Sequence, residues 1–342
     1  MPAETAAEAR SIVQALRMAL IEEMERDPSV FLLGEDIAVF GGAYRVTEGL
    51  LARFGESRVR DTPISEAAIV GAAVGAAMTG LRPVVEIQFN DFLACAMDQI
   101  HSNASMLRYM SGGTVRVPLV MRAPVGATGR GAQHARNMER FFIGIPGLKV
   151  VAPSTAYDAK GLLKAAVRDD NPVMIFEHKL LYGSKGPRSE SGAVDATSDV
   201  PDEDYTVPLG RAAVRREGGR VTILGWLLMA HYAQAAARTL AAEGVDAGVI
   251  DVRSLSPFDY DTIGRSVRKT GRVVIAEEGP KTGGVAAELA AGITERFADS
   301  LLAPVARVAS ADVPVPFAPE LENAYRPDPA RIAQAARALA LL

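Results

Sequence analysis

Cysteine, tryptophan and histidine are scarce in this sequence of 342 residues, which contains one, one and four of them. A single cysteine cannot form a disulfide within the chain, so a disulfide-stabilised fold is excluded. Cys95 lies in the apolar segment DFLACAM, where we expect a buried, unreactive thiol. His101, His178 and His231 show none of the spacings typical of metal ligands, and no zinc site is predicted.

Basic residues are not in excess, and long apolar runs are missing. Lys and Arg total 37 against 41 for Asp and Glu, which gives a net charge of −4 and a pI near 5.7. This balance argues against a general nucleic-acid-binding surface. The sequence lacks an N-terminal basic region followed by an apolar core, and it lacks a run of about 18 apolar residues, so we expect a cytoplasmic protein without membrane spans.

Apolar periodicity predicts helices and strands in alternation. Residues 11–26 carry apolar side chains on one helical face, and strand-like segments follow at VFLLGED, PVVEIQF, VPLVMRAP and PVMIFEH, with a long helix expected from Asp91 to Met110. This order predicts an α/β protein with two domains, each a mostly parallel sheet flanked by helices. A change to Gly, Ser, Pro and Asp predicts a first domain at 1–185, a linker at 186–208 and a second domain at 209–342.

The segment DTPISEAAIVGAAVGAAMTG, residues 61–80, places one carboxylate at the start of a helix made largely of Ala and Gly. Pro63 favours an extended Thr62, and Ser65 is placed to cap the helix that begins at Glu66. The small side chains would let a subunit or a flat ligand approach closely, and we expect this helix to be buried. By itself, a glutamate in the first turn is explained by the helix dipole, so spacing alone does not establish a catalytic role.

Further segments stand in a fixed order along the chain: GGAYRVTEGL at 41–50, EIQFNDF at 86–92, RYMSGG at 108–113, GAQH at 131–134, PGLKVVAPS at 146–154, VRSLSPFD at 252–259 and TGGVAAE at 282–288. Together with the segment around Glu66 they resemble the beta subunit of the thiamine-diphosphate-dependent component of 2-oxoacid dehydrogenases. The resemblance extends over nearly the whole chain. It implies a domain that binds the aminopyrimidine of thiamine diphosphate, followed by a domain similar to the C-terminal domain of transketolase.

The resemblance also implies partners. An alpha subunit would complete an α2β2 heterotetramer and hold the diphosphate with its magnesium, and a lipoyl-bearing dihydrolipoyl acyltransferase would accept the acyl group. The Gly-Asp-Gly motif that opens the family's magnesium site does not occur in this sequence, which agrees with half of the active site lying on another chain.

Particular residues acquire roles from the resemblance. Glu66 would hydrogen-bond the ring nitrogen of the aminopyrimidine and so activate the cofactor for attack on a 2-oxo acid. Phe92 would stack on that ring, while Ile64 and Gln88 would line the same pocket. His134 follows the glycine-rich loop GATGRGAQ and would donate protons or steer the lipoyl arm, although a histidine in such a loop is otherwise an ordinary surface residue.

Two elements of the resemblance leave alternatives open. The family continues this histidine with serine and glutamine, whereas Ala135 and Arg136 stand here, which puts the substrate preference in doubt. The segment AVRDDNP resembles a potassium-binding element, but it also fits a simple turn after a helix. The predicted potassium ligands are Leu119, Ala166, Val167, Asp169 and Asn171.

The substrate and the reaction also stay open at this point. The segment FEHKLLYG is most similar to members that act on acetoin or short 2-oxo acids, with pyruvate and branched-chain 2-oxo acids as alternatives. A transketolase-like transferase subunit and a non-catalytic assembly subunit are the competing interpretations. A nucleotide-binding module based on GAAVGAA is disfavoured, because these glycines lie within a helix and not in a turn between a strand and a helix.

Overall fold

The structure, a computed structural model, describes residues 8–183 and 194–342. The chain forms two compact units: residues up to Val125 together with Gly144–Leu209 form the first, and Gly126–Ile143 together with Gly210–Leu342 form the second. Residues 186–193 of the predicted linker, and residues 1–7 and 184–185 of the predicted first domain, lie outside the described residues.

Parallel strands form the sheet of the first unit, with the order β6-β7-β5-β4-β2-β3. A separate antiparallel ribbon joins β1 to β8. The strands are β1 (Glu8–Arg10), β2 (Val30–Gly34), β3 (Val59–Asp61), β4 (Arg82–Glu86), β5 (Val120–Val125), β6 (Lys149–Val151), β7 (Val173–His178) and β8 (Ser198–Val200). The central strands β5 and β7 are buried at every position, as expected for parallel strands covered on both faces.

Helices of the first unit begin where the sequence offers capping groups. Ser11 and Gln14 form a reciprocal capping box, and the helix that follows packs its apolar face against the helix capped by Thr155. The helices are α1 (Ile12–Arg26), α2 (Leu50–Phe54), α3 (Glu66–Met78), α4 (Leu107–Met110) and α5 (Ala156–Arg168), and a 3-10 turn spans Lys179–Leu181.

The expected long helix from Asp91 to Met110 is wrong. The segment divides into a 3-10 helix at Asn90–Ala96, a π-helix at Gln99–Ala104 and α4. Near its middle the Ser105 hydroxyl donates to the His101 carbonyl at 2.6 Å, and such local side-chain bonds compete with regular helical pairing. Cys95 is exposed within the 3-10 helix, so the expectation of a buried thiol is also wrong.

The second unit has a five-stranded sheet with the order β14-β13-β10-β11-β9, parallel except for the edge strand β9. Its strands are β9 (Ala213–Arg216), β10 (Val221–Gly225), β11 (Ala247–Asp251), β12 (Ser254–Ser256), β13 (Val273–Pro280) and β14 (Ala306–Ser310), of which β12 stands apart from this sheet. Its helices are α6 (Leu228–Ala242), α7 (Tyr260–Thr270), α8 (Val285–Phe297), α9 (Pro319–Tyr325) and α10 (Pro329–Ala340), with 3-10 turns at Glu139–Phe141 and Ala298–Ser300.

The predicted fold class is confirmed: both units have mostly parallel sheets flanked by helices. Within the described ranges, no helix is long and apolar enough to cross a membrane.

Candidate functional site

The predicted cofactor-binding residues follow two strands of the first unit, β3 and β4, which lie on either side of β2. Strand β2 lies between β3 and β4 and is parallel to both, so the carboxyl ends of all three meet at one edge of the sheet. The chain passes from β2 to β3 on one side and then crosses to β4 on the other. Such a reversal opens a crevice at the carboxyl ends of the strands, where α/β proteins bind ligands.

Helix α3 begins at this edge with Glu66, which is its first residue and is half-buried. The expectation that Ser65 caps the helix with its side chain is wrong, because the Ser65 side chain makes no capping hydrogen bond. The Ser65 backbone amide donates to the carboxylate of Glu35 instead, and its carbonyl accepts the Ile69 amide at 2.9 Å.

Glu35 is a buried carboxylate that the sequence analysis missed. It follows β2 directly and lies close enough to Glu66 for their charges to interact. Burial, and after it the negative charges of Glu66 and Asp36, raise the pKa of Glu35 above its ordinary value. The tripeptide GED at residues 34–36, at the end of an apolar strand, was the sequence pattern that could have identified Glu35. Two carboxyl groups close enough for their charges to interact therefore lie at the edge where β2 and β3 end.

Gln88 and Phe92 follow β4 at the same edge. The Gln88 amide donates to Asp36 at 3.2 Å, and the Phe92 ring makes an edge-to-face contact with Phe89, with ring centroids 5.8 Å apart. Both side chains are half-buried, whereas Ile64 is 83% exposed. An amide, an aromatic face and an exposed aliphatic side chain are suited to a flat, partly polar ring, so the chemistry of this set fits an aminopyrimidine.

A buried ionic cluster fixes the ends of β4, β5 and β7 behind this edge. Arg122 contacts both oxygens of Glu177 at 2.8 and 2.7 Å and Glu86 at 2.7 Å, and the Tyr182 hydroxyl donates to Glu177 at 2.7 Å. Burial raises the pKa of Glu86 and, together with the carboxylate of Glu177, raises that of Tyr182 well above its ordinary value. The arginine in the apolar strand VPLVMRAP was the signal that the sequence analysis did not use.

Four of the five predicted potassium ligands, Ala166, Val167, Asp169 and Asn171, lie at or just after the end of α5, whereas Leu119 precedes β5. Their oxygens already accept hydrogen bonds: Arg82 donates to the carbonyls of Val167 and Asp169, at 3.0 Å each. Lys149 pairs with the Asp169 carboxylate, and Asn171 donates to it at 2.8 Å. Burial by itself would raise the pKa of Asp169, but the bonds from Lys149 and Asn171 outweigh it and hold this pKa below its ordinary value. A carbonyl oxygen has two lone pairs, so the set remains compatible with a cation as an additional partner.

His134 belongs to the second unit, in the loop between β5 and the Glu139–Phe141 turn. Its neighbour Ala135 is buried in an apolar cluster with Ala127, Val315 and Tyr325. A serine hydroxyl at this position would be buried among apolar side chains, which explains why alanine suits this chain. The departure from the family pattern at Ala135 is thus a packing feature, whereas Arg136 is exposed.

Comparisons with known proteins agree with this arrangement. The transketolase pyrimidine-binding domain matches residues 8–185, and the transketolase C-terminal domain matches residues 210–332. A pyruvate dehydrogenase E1 component beta subunit of Oryza sativa subsp. japonica is 48% identical over 95% of this chain and 78% of its own length. The 2-oxoisovalerate dehydrogenase beta subunit of Bacillus subtilis (strain 168) is 44% identical over 96% and 98%.

Among solved structures, the inactive beta4 tetramer of a split-gene transketolase covers 98% of this chain and 99% of its own, with a TM-score of 0.78 and 25% identity. The resemblance inferred from the motifs is therefore confirmed in both sequence and fold. The chain belongs to the family of beta subunits of thiamine-diphosphate-dependent 2-oxoacid dehydrogenases, which act as parts of heteromeric oxidoreductases.

Proposed function

We propose that this chain forms the pyrimidine-binding half of an α2β2 enzyme that decarboxylates a 2-oxo acid and passes the acyl group to a lipoyl group. The proposal is supported by the strand order, in which Glu66 follows β3 while Gln88 and Phe92 follow β4, at the edge where these two strands and β2 end. Thiamine diphosphate, when bound, supplies the carbanion chemistry needed to release carbon dioxide from a 2-oxo acid.

Four residues of the chain have defined roles in this proposal. Glu66 would hold the aminopyrimidine by a hydrogen bond to its ring nitrogen, and Phe92 would pack against the face of the ring. Glu35 lies within range of the charge of Glu66, and burial raises its own pKa and so favours its neutral form. His134 orients the lipoyl arm or transfers a proton to it.

An alpha subunit completes the site. It holds the diphosphate and magnesium, for which this sequence offers no Gly-Asp-Gly motif. Over residues 8–183 and 194–342, no group of three or more His, Cys, Asp or Glu side chains is arranged to hold a metal ion. The acceptor of the acyl group is a lipoyl-bearing dihydrolipoyl acyltransferase. The cytoplasmic location of the enzyme remains a prediction.

A potassium ion is part of the proposal. It would bind the oxygens of Leu119, Ala166, Val167, Asp169 and Asn171 and would bridge α5 to the start of β7. We expect the unfolding temperature of the chain to be higher in potassium chloride than in choline chloride at equal ionic strength, because a ligand that binds only the folded state stabilises it. Equal unfolding temperatures across a range of potassium concentrations would remove the ion from the proposal.

The central test replaces Glu66 by Gln in the enzyme assembled with its co-expressed alpha subunit. Without the carboxyl group we expect decarboxylation, followed by reduction of an artificial electron acceptor, to fall by about 10²–10⁴-fold. Glu288→Gln is the matched control, because Glu288 is also a first-turn residue, in α8, and is exposed. If Glu66→Gln retained full turnover, Glu66 would be reduced to a helix-dipole residue and the chain to an assembly subunit.

The same assembly identifies the substrate. Pyruvate, branched-chain 2-oxo acids and acetoin are compared as donors, with the artificial acceptor or with an isolated lipoyl domain. Transfer to an aldose phosphate, with none to the lipoyl domain, would favour the transketolase-like alternative.

A further inference from the structure

His134 lies in the loop of residues 126–143. The part of this loop before His134, here called the first leg (residues 126–133), is held by side chains from other parts of the second unit. The Ala127 amide donates to Glu278 at 2.7 Å, and the Gly129 amide donates to Glu322 at 2.7 Å. Arg326 donates to the Ala127 carbonyl, also at 2.7 Å. These charge-assisted bonds fix the chain before His134. The position of His134 therefore depends on how the part of the loop after it, the second leg (residues 135–143), is held.

The second leg ends in the buried carboxyl group of Glu139, which is 3% exposed. The indole of Trp226 donates to this carboxyl group, and the Asn137 side chain donates to it at 3.2 Å. Trp226 is the only tryptophan of the sequence and lies at the end of β10. Glu139 is thus a buried polar anchor of the second leg, beside Arg140, which donates to the Thr282 carbonyl at 3.0 Å.

Glu277 on β13 is the second buried carboxyl group here, at 1% exposure. One oxygen, Oε2, accepts the Ala286 amide at the start of α8 at 3.2 Å, whereas Oε1 has no hydrogen-bond partner among the residues that the structure describes. A Cβ atom at Gly284 would lie 2.3 Å from that oxygen, so glycine is required for the carboxyl group to rest against the helix. A buried oxygen without a partner is costly when charged and less so when protonated.

Glu139 and Glu277 line one cavity of about 10 Å³, room for a single water molecule and too small for a substrate. Two negative charges in so small a space would repel each other with little screening. Burial raises the pKa of Glu139 to about 7 and, with the charge of Glu139, that of Glu277 to about 8.

Further groups face this pair from the surrounding elements. Glu278 raises the proton affinity of Glu139, while Arg307 on β14 and the amides at the start of α8 lower that of Glu277. Tyr325 on α9 interacts with Glu139, and Arg140 lines the same cavity. The two carboxyl groups nevertheless keep raised proton affinities, because burial outweighs these cations and amides.

We propose that Glu139 and Glu277 share a proton, and that this proton holds the second leg of the His134 loop against the second unit. Both are positioning residues: they act on His134 through the loop and touch no substrate. When the last proton leaves, the two carboxylates repel each other across the cavity. The loop leg then separates from β13, and His134 loses its fixed position. The consequence for acyl transfer rests on the proposed function, whereas the proton-sharing pair does not.

The fluorescence of Trp226 reports on this pair directly, since its indole contacts Glu139. A pH titration of the full-length chain should show a transition with a midpoint between about 7 and 8, the range of the two pKa values. Glu139→Gln keeps an acceptor for the indole but removes the titrating group beside it, so this variant should lose the transition. Glu277→Gln leaves only Glu139 to titrate, so its transition should move to a midpoint near 7. Glu288→Gln, on the exposed face of α8, should retain it.

Hydrogen exchange tests the effect on the loop. At pH 8.5, half a unit above the higher pKa of about 8, the amides of residues 135–143 should exchange at least several-fold faster in the unaltered chain than in Glu277→Gln, and equally fast in both at pH 6. Because the two proteins are compared at the same pH, the pH dependence of the intrinsic amide exchange rates does not affect the result. A titration unchanged by both variants, or equal exchange at both pH values, would overturn the proposal. Neither measurement needs the alpha subunit, so failure of the proposed function leaves this test intact.

Discussion

Arg122 shows how one buried side chain serves a site that it does not enter. Its guanidinium joins Glu86, at the end of β4, to Glu177, near the end of β7. Gln88 follows Glu86 by two residues, so the direction in which the chain leaves β4 depends on this ion pair. A buried cation between two carboxylates is favourable only because both contacts are short and direct.

We expect Arg122→Ala to lower the free energy of unfolding by about 3–5 kcal/mol, because it leaves two buried carboxylates without a cation. The loss should shrink at low pH, where protonation removes their charges. Chemical denaturation at several pH values measures both effects. Arg116→Ala is the control: its side chain is 65% exposed and pairs with Asp170, so its loss should not exceed about 1 kcal/mol. A small, pH-independent loss for Arg122→Ala would contradict this account.

At the scale of the element, α3 has two different faces. Its larger apolar residues Ile69, Val70 and Val74 are buried, while Ala68, Ala72 and Gly75 are exposed in the isolated chain. The expected burial of the whole helix is thus met on one face only. A surface of small residues lets another backbone approach closely, which is the approach that a shared active site requires.

Gly75→Leu tests the exposed face. No atom lies within 4 Å of a Cβ at Gly75, so the chain should fold, with stability unchanged or raised by up to about 1 kcal/mol from improved helix propensity. Because the added side chain protrudes from the small-residue face, association with the alpha subunit should weaken by at least tenfold. Sedimentation of mixed subunits measures this association, and Gly75→Ala serves as the milder control. Unchanged association would place the interface elsewhere.

At the scale of the whole molecule, buried carboxyl groups set how stability depends on pH. Glu139 and Glu277 have pKa values of about 7 and about 8 in the folded chain, against an ordinary value of 4.5. The folded state therefore binds more protons than the unfolded state between these limits, and unfolding becomes easier as the pH rises through this interval.

We expect the free energy of unfolding of the unaltered chain to fall, relative to the double variant Glu139→Gln, Glu277→Gln, between about pH 4.5 and pH 8. The difference should amount to a few kcal/mol, on the order of magnitude set by 1.36 kcal/mol per pKa unit and reduced by coupling between the two groups. Denaturation of both proteins at matched pH measures it. Parallel stability curves would mean that the two groups carry no excess protons when folded.

Local patterns in the sequence determined the α/β class, most helices and the family. Apolar periodicity and capping groups act between residues close in the chain, so α1 was predictable from Ser11 and residues 11–26, and α7 from Asp259 and the segment after it. Motif order led to Glu66, Gln88 and Phe92. Their roles, and the domain limits, remain predictions.

Tertiary structure alone decided which distant groups became neighbours. Glu86 and Arg122 are 36 residues apart and Arg122 and Glu177 are 55 apart, and only the strand order brings them together. Glu139 and Glu277 share a cavity because the His134 loop folds with the second unit. The exposure of Cys95, the division of the expected helix at 91–110 and the pairing of Ser65 with Glu35 have the same origin. Burial and proton affinity depend on the summed environment of a group, which one segment of sequence does not contain.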